Sequence, residues 1–480
     1  MFPRLSFLVA VLAASPGLGQ DAKSSTPKPP DDPNPVLEMT LSPAREPVPA
    51  LRYRLIPRTS DLNPGNAAPL YLRIRHEMTD PAPLKEIDAR SADLDKPLAE
   101  FPKDDVRKLV DSFSARLKQI EFGANRQTCD WAFSLPEQRS DVINILLPDV
   151  QEMRRWARLL SLKARLEVVE GKYEEAVKTL QTGIAFGRHV SENPFVIGSL
   201  VGVAISSVML QRTEELIQQP GAPNLYWALS ALPHPLIEMR SALEQEERFA
   251  EDMVPELMQV DRTLSPGEWT VRLSKMHANM KRLCSMVVPV PESIAAFDKR
   301  DLATFRKETL PTARKYLSER MGVTTAGLGS MNEDEIVARY VAGHFREVRD
   351  NSFKATHLPY REAEKVQLKW EADIASLKEG PLAPIIEIMP MLGQVRRVGL
   401  RQERKIAALR VIEALRTFAA SHQGALPKTL DEITEVPVPI DPATEKPFQY
   451  QSDGKTATLF SPLIDNAPKT GVNYKITIRP

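Results

Sequence analysis

Glycine is scarce in this 480-residue chain: 21 Gly stand against 41 Pro. Average usage, roughly 7% Gly and 5% Pro, would reverse that order. The shortage argues against Gly-rich phosphate loops and flexible Gly/Ser linkers. It favours helices joined by stiff, Pro-bearing connections. Cysteine is scarcer still, and two Cys exclude a disulfide-dense scaffold and a thiolate zinc cluster. Charge of one sign is also missing, because 63 basic and 63 acidic residues cancel. No global field points to nucleic acid or to an anionic membrane. Past the N-terminus no apolar run reaches the ~20 residues of a spanning helix. The richest, Pro194–Leu210, reads as a buried helix.

Motifs that carry chemistry are lacking too. The seven His are His76, His189, His234, His277, His344, His357 and His422, and none makes HExxH or a two-His helix face. There is no CxxC and no GxSxG elbow. Asp453-Gly454 resembles part of a calcium loop, but Gln449 and Gln451 precede it. Phe460 then stands where the bidentate Glu belongs. Gly327-Leu328-Gly329 lacks the third Gly of a dinucleotide loop. No cofactor and no metal is expected.

What is present begins with an export signal. Arg4 precedes the apolar run Leu5–Ala14, and Gly17 and Gly19 set a small-residue cleavage site before Gln20. Residues 1–19 therefore read as a signal peptide and the mature chain as periplasmic or secreted, with no membrane span after cleavage. Residues 20–50 hold Pro27, Pro29, Pro30, Pro33, Pro35, Pro43, Pro47 and Pro49. Each fixes its own φ and biases its predecessor to extended backbone, so this stretch reads as a disordered proline-rich spacer. With 42% hydrophobic residues, the remainder can fill a sizeable core.

Leu51–Ile56 alternates and reads as a short strand or an extended arm. Asn63-Pro64-Gly65-Asn66 reads as a turn, with Asn66 capping a helix from Ala67. From about 103 to 423 the apolar period is helical. Val106, Leu109, Val110, Phe113 and Leu117 form one stripe, and Ile336, Val337, Tyr340, Val341, Phe345 and Val348 another. Pro and Gly pairs punctuate the stripes. The expected fold is mainly α, an irregular bundle of helical hairpins over residues 51–385. A smaller α+β domain, 386–480, follows: a long helix, about Gln394 to His422, on an antiparallel sheet. That sheet is drawn from Phe448–Gln451, Thr456–Ser461 and Tyr474–Ile478.

Three resemblances attach to these residues. Leu160 and Ala164, then Gly171-Lys172-Tyr173-Glu174-Glu175-Ala176, resemble one tetratricopeptide hairpin near 150–190. Lys163 and Arg188 depart from that pattern, and no second copy follows at the ~34-residue period. Tyr53-Arg54-Leu55, Pro64–Ala68, Cys129-Asp130-Trp131, Gly171–Gly183 with His189, and Pro220–Leu229 together resemble an uncharacterised family of exported planctomycete proteins. That resemblance implies a compartment and a shared fold, and no activity. Gly424-Ala425-Leu426-Pro427, Asp441-Pro442 and Pro447-Phe448-Gln449-Tyr450 resemble the globular end of type II secretion pseudopilins. An apolar N-terminal helix does not open that region, so the resemblance implies a borrowed fold and no pilus subunit.

Few residues invite a role. Cys129 beside Asp130 and Trp131 is either a nucleophile or a buried packing residue. In an oxidising compartment a Cys129–Cys284 disulfide is an alternative to two free thiols. Arg154, Arg155, Arg158 and Arg165 form either an anion site or a solvated, ion-paired face. Asn224, Tyr226 and Trp227 after Pro223 form either a partner-binding surface or a helix start with aromatic core residues. The functional expectation is an exported, non-enzymatic scaffold with a protein partner in the cell envelope. Its alternatives are an exported hydrolase with a dispersed site and an accessory component of a secretion system.

Overall fold

The computed structural model describes residues 34–76, 82–132, 142–258, 260, 262–285, 290–375, 380–388, 392–464 and 470–479. The expected signal peptide and the first part of the spacer lie outside them. The fold is mainly α with a small C-terminal sheet. In chain order its first elements are β1 (Val36–Leu41), β2 (Asn63–Asn66), α1 (Ala68–His76), α2 (Ala82–Ala89), α3 (Lys103–Ser112), α4 (Ser114–Ala124) and β3 (Arg126–Thr128). Then come α5 (Val142–Val169), α6 (Tyr173–Ser191), α7 (Val196–Ile217), α8 (Tyr226–Ser230) and α9 (Arg240–Met253). Next are α10 (Pro266–Cys284), α11 (Glu292–Asp298), α12 (Leu302–Glu319), α13 (Thr325–Ser330), α14 (Glu333–Phe353), α15 (Tyr360–Ala375) and α16 (Ala383–Ile388). The chain ends with α17 (Leu392–Ser421), β4 (Gln449–Ser452), β5 (Thr456–Phe460) and β6 (Asn473–Ile478).

Two compact units share these elements. One holds the described residues of 34–132, 144–239 and 396–479; the other is Arg240–Val395 with the first residues of α5. This division corrects the expected boundary between 51–385 and 386–480. The C-terminal sheet shares a unit with the N-terminal helices because it takes a strand from that end. Its order is β1-β6-β5-β4, with β1 parallel to β6 and the other pairs antiparallel. Val36 pairs with Asn473 and Leu41 with Ile478. The stretch read as disordered spacer to residue 50 thus carries a strand. Val36–Leu41 lies in the one Pro-free gap between Pro35 and Pro43, where every N–H is free to join a ladder. Met39, Leu41, Leu459, Tyr474 and Ile476 point inward and are buried.

α17 is covered on more than one side, which explains why polar residues interrupt its apolar stripe. Ile406, Leu409, Ile412 and Leu415 are fully buried. Gln402 donates to the Val203 carbonyl and to Ser207 Oγ of α7, each at 3.1 Å. Glu214 of α7 accepts from the Tyr474 hydroxyl at 2.5 Å and pairs with Lys405 at 2.8 Å. Helix α7 is the one described helix long and apolar enough to cross a membrane, and 72% of that stretch is buried in the protein.

The expected hairpin near 150–190 exists as α5 and α6, turned at Gly171 with φ +72°. Lys172 N–H closes the turn on the Glu167 carbonyl at 2.8 Å. The backbones of α6 and α7 approach closely at Gly187 and Gly202. A Cβ on Gly202 would stand 2.5 Å from the Gly187 carbonyl oxygen. Leu51–Ile56 forms turns and bends rather than a strand. Asn63–Asn66, expected as a turn, is strand β2, parallel to β3, and Asn66 Oδ1 accepts Ala68 N–H at 3.1 Å.

The second unit is helical throughout its described residues. Ser265 and Glu268 form a reciprocal capping box with Pro266 at the first position of α10. Asn332 caps α14 one way, its Oδ1 accepting Glu335 N–H at 2.7 Å, with Glu333, Asp334 and Glu335 in its first turn. Trp269, Leu273, Met276 and Met280 of α10 pack with Ile336, Val341 and Phe345 of α14, and with Phe297 and Phe305.

Candidate functional site

Cys129, Trp131 and His189, far apart in sequence, meet in the first unit. Asn66 builds the loop that presents the first two. Its Nδ2 donates to the Asp130 carbonyl at 2.6 Å and its Oδ1 accepts Asp130 N–H at 2.8 Å. Asp130 Oδ1 then accepts Ala132 N–H at 2.8 Å, where Ala132 has φ 53°. This tight loop docks on the end of α6 through three bonds. Cys129 N–H donates to Glu192 Oε2 at 3.1 Å, Trp131 Nε1 donates to the His189 carbonyl at 2.9 Å, and the His189 ring bonds the Arg126 carbonyl.

Tyr71 of α1, which the sequence did not single out, completes the cluster. Its hydroxyl lies 2.8 Å from His189 Nδ1, and its ring meets the edge of Phe186 at 5.0 Å. Because the Arg126 carbonyl can only accept, the ring of His189 donates there and the Tyr71 hydroxyl is the donor to Nδ1. His189 therefore carries its proton on the nitrogen facing Arg126 and offers a bare Nδ1 to Tyr71. Burial, reinforced by Arg188, lowers its pKa to about 4. Burial, then Glu192 and Asp130, holds the Cys129 thiol well above its ordinary range. Desolvation raises Tyr71 and also Glu192, although Glu192 keeps solvent-exposed surface. At neutral pH the cluster thus holds a thiol, a phenol and a neutral imidazole. A thiol held protonated by burial and by neighbouring carboxylates is a poor nucleophile, so the reading of Cys129 as a packing residue prevails.

Asn224, Tyr226 and Trp227 lie elsewhere in the same unit, and the expectation of a partner-binding surface is corrected for the first two. Asn224 and Tyr226 are buried, and Trp227 is half-buried. Asn224 Nδ2 donates to the Glu413 carbonyl at 3.0 Å, to Thr417 Oγ1 at 3.1 Å and to the Ala44 carbonyl at 3.3 Å. Its Oδ1 accepts Tyr226 N–H at 2.9 Å, which starts α8. The Tyr226 hydroxyl donates to the Pro437 carbonyl, and Trp227 Nε1 donates to Glu46. An Asn at a helix start satisfies backbone donors, and here it also reaches two other segments.

The same knot contains a fully buried ion pair. Arg416 NH1 contacts both Glu413 oxygens, at 2.9 and 3.0 Å. Arg416 also donates to the carbonyls of Ser42 (3.0 Å), Pro223 (3.2 Å) and Ala222 (2.8 Å). Burial raises the Glu413 pKa despite Arg416 beside it. A second buried pair, Arg404 with Asp441 at 2.8 and 2.9 Å, ties α17 to the Asp-Pro turn, and Thr444 caps Asp441. The sequence hinted at neither pair beyond charged residues falling on a buried stripe.

The arginine set on α5 divides. Arg155 and Arg158 both pair with Asp88, at 2.9 and 2.8 Å, as an ion-paired face should. Arg165 is buried instead of solvated. It pairs with Glu215 at 3.0 Å and donates to the carbonyls of Asp93 and Lys96, while Arg212 meets Glu215 at 2.8 Å. The expected alternative of a Cys129–Cys284 disulfide is also corrected. Both are buried free thiols, each in a different compact unit. Cys284 Sγ donates to the Met280 carbonyl at 3.4 Å, and burial pushes its pKa up to about 11.

Ser421, His422 and Glu435 also gather, but in no catalytic order. Ser421 Oγ donates directly to Glu435 at 2.5 Å, and His422 Nδ1 bonds the Phe418 carbonyl at 2.9 Å. His422 Nδ1 is 3.3 Å from Ser421 Oγ and 3.6 Å from Glu435, but a triad base bonds nucleophile and acid through opposite nitrogens, and here one nitrogen faces both. Among the described residues no three His, Cys, Asp or Glu are grouped to hold a metal ion. These geometries define a mainly helical protein whose buried polar clusters join distant segments. Compared with family models, curated proteins and solved structures, the chain matches none.

Proposed function

We propose that this chain is an exported, non-enzymatic scaffold or interaction protein of the cell envelope, akin to the planctomycete family and bearing a pseudopilin-like C-terminal region. The observation that carries the reading is the knot of Asn224, Glu413 and Arg416, which joins the arm at Ser42 and Ala44, the Pro220–Pro223 turn and α17. Such a knot makes a rigid body from both ends of one unit, as a scaffold requires. The Leu5–Ala14 run behind Arg4 supports export. The test is a C-terminal fusion to an enzyme active only outside the cytoplasm, combined with crosslinking in living cells against an exported control. An active fusion and one reproducibly crosslinked envelope protein support the reading. A silent fusion, or no crosslinked partner under any growth condition, overturns it.

The meeting of Cys129, His189 and Glu192 favours a second reading, an exported hydrolase. Turnover of ester, amide or phosphate substrates that His189→Asn abolishes would establish it and displace the scaffold.

A further inference from the structure

The strongest unexplained arrangement is the docking of β3 and the loop after it on the end of α6. All three of its bonds converge within one helical turn, at His189 and Glu192. An imidazole in the middle of such a contact is a titratable joint. We propose that His189 is an acid-operated latch, whose protonation releases the Arg126–Ala132 segment and uncovers the Cys129 thiol.

The geometry defines what a second proton does. Neutral His189 accepts at Nδ1 from Tyr71 and bonds the Arg126 carbonyl on its other side. A protonated ring donates from both nitrogens. The hydroxyl of Tyr71, a residue only 1% exposed, must then reverse and lose its acceptor. The new charge is also buried next to Arg188, which repels it, although Glu192 attracts Arg188 in turn. Released, the ring is solvated and gains its proton at the ordinary value of about 6.5.

The groups facing His189 come from each neighbouring element. α6 supplies Arg188 and, at its C-cap, Glu192; α1 supplies Tyr71, and β3 with its extension supplies the Arg126 carbonyl, Cys129 and Asp130. Glu192 acts against the latch. Its raised pKa means that the docked form takes up its proton more readily, so acid relieves the burial of that carboxylate. His189 has the opposite sign. Its docked pKa is depressed to about 4, so its stabilisation of the docked form is complete above about 6.5 and is lost as pH falls towards 4. Glu192 is exposed, so solvent screens its share; the buried imidazole inside the contact decides the sign, and the net effect of acid is release.

The experiment uses the full chain with both cysteines present. It is exposed to 4,4′-dithiodipyridine, which reacts with thiols in acid as well as at neutral pH. Peptide mapping by mass spectrometry follows Cys129 and Cys284 separately, and rates are normalised to a small free thiol at each pH. Between pH 7 and pH 5 the Cys129 rate should rise about tenfold, as a shift of this size with partial opposition from Glu192 implies. Cys284 and the circular dichroism should not change. His189→Asn, whose Oδ1 can still accept from Tyr71, should abolish the rise or reverse it, because Glu192 then acts alone. Glu192→Gln, a change at an exposed position, should keep the rise or steepen it. A flat Cys129 rate, an equal rise in His189→Asn, or joint exposure of Cys284 with loss of helical signal overturns the latch. If His189→Asn does not fold, the wild-type and Glu192→Gln profiles still decide the matter.

Discussion

Arg416 is the residue whose removal should cost this protein most. It is fully buried, and it contacts Glu413 and the carbonyls of Ser42, Ala222 and Pro223. Arg416→Met keeps most of the volume and removes every one of these donors. Glu413, also fully buried, then loses the one cation paired with it among the described residues and must take up a proton or draw water into the core. Breaking a buried pair from one side costs about 3–5 kcal/mol. The three stranded carbonyls place the expected loss near the top of that range. Against a total stability of about 5–15 kcal/mol this is a large fraction. A shift of about 10 °C in melting temperature follows for a unit of this size. Arg416→Lys keeps the charge but not the planar fork, and should lose about half as much. Glu413→Leu combined with Arg416→Met removes both charges and should recover at least half of the single variant's loss. Differential scanning calorimetry checks this, with the transition of the 34–239 and 396–479 unit moving and that of 240–395 staying. A loss below about 1 kcal/mol for Arg416→Met, or a double variant no better than the single, would falsify the ion-pair argument.

Other expectations follow from single contacts. Gly202→Ala places a Cβ 2.5 Å from the Gly187 backbone oxygen and should cost about 1–3 kcal/mol. Gly329→Ala, in α13 with nothing within 4 Å, should instead stabilise by about 0.5–1 kcal/mol; thermal shifts of opposite sign check the pair. His277 is buried between Phe297 and Phe305 with no partner for Nε2 among the described residues, and burial lowers its pKa. Its neutral form is therefore favoured in the fold, and stability falls as pH drops below about 6.5. His277→Phe should flatten the melting temperature of the 240–395 unit between pH 7 and 5, and an unchanged slope would refute the assignment. Two free thiols require that unreduced, denatured protein take up two alkyl groups; uptake of none means a disulfide.

Much of the helical body was legible in the letters because a 3.6-residue apolar period is local information. The stripes at Val106–Leu117 and Ile336–Val348 are buried as the period demands, and the three C-terminal strands fall within a residue or two of their expected places. β1 was hidden for a physical reason. A parallel partner can come from any distance in the chain, and here 437 residues separate Val36 from its partner Asn473. The Pro-rich setting masked it further. The candidate residues suffered the same ambiguity. A rare, specific run such as Pro223-Asn224-Leu225-Tyr226-Trp227 reads alike whether its polar atoms face a partner or the protein's own backbone. Only the positions of Ala44, Glu413 and Thr417 separate the two. Tyr71 and Glu192 had no motif at all, since their importance lies in reaching His189 and Cys129 across the fold.

The sequence by itself determined the class. The scarcity of Gly set against abundant Pro, the balanced charge and the two lone Cys already excluded Gly-rich nucleotide loops, disulfide scaffolds and thiolate metal clusters. The apolar period then specified helices with a small sheet at the end. Tertiary structure alone decided that this sheet borrows its fourth strand from the N-terminal arm. It alone decided that Asn224 is a buried clamp and that His189 sits at the joint between a loop and a helix end. Periodicity records which side of an element avoids water. The partner of a buried polar group is chosen only when the chain closes on itself.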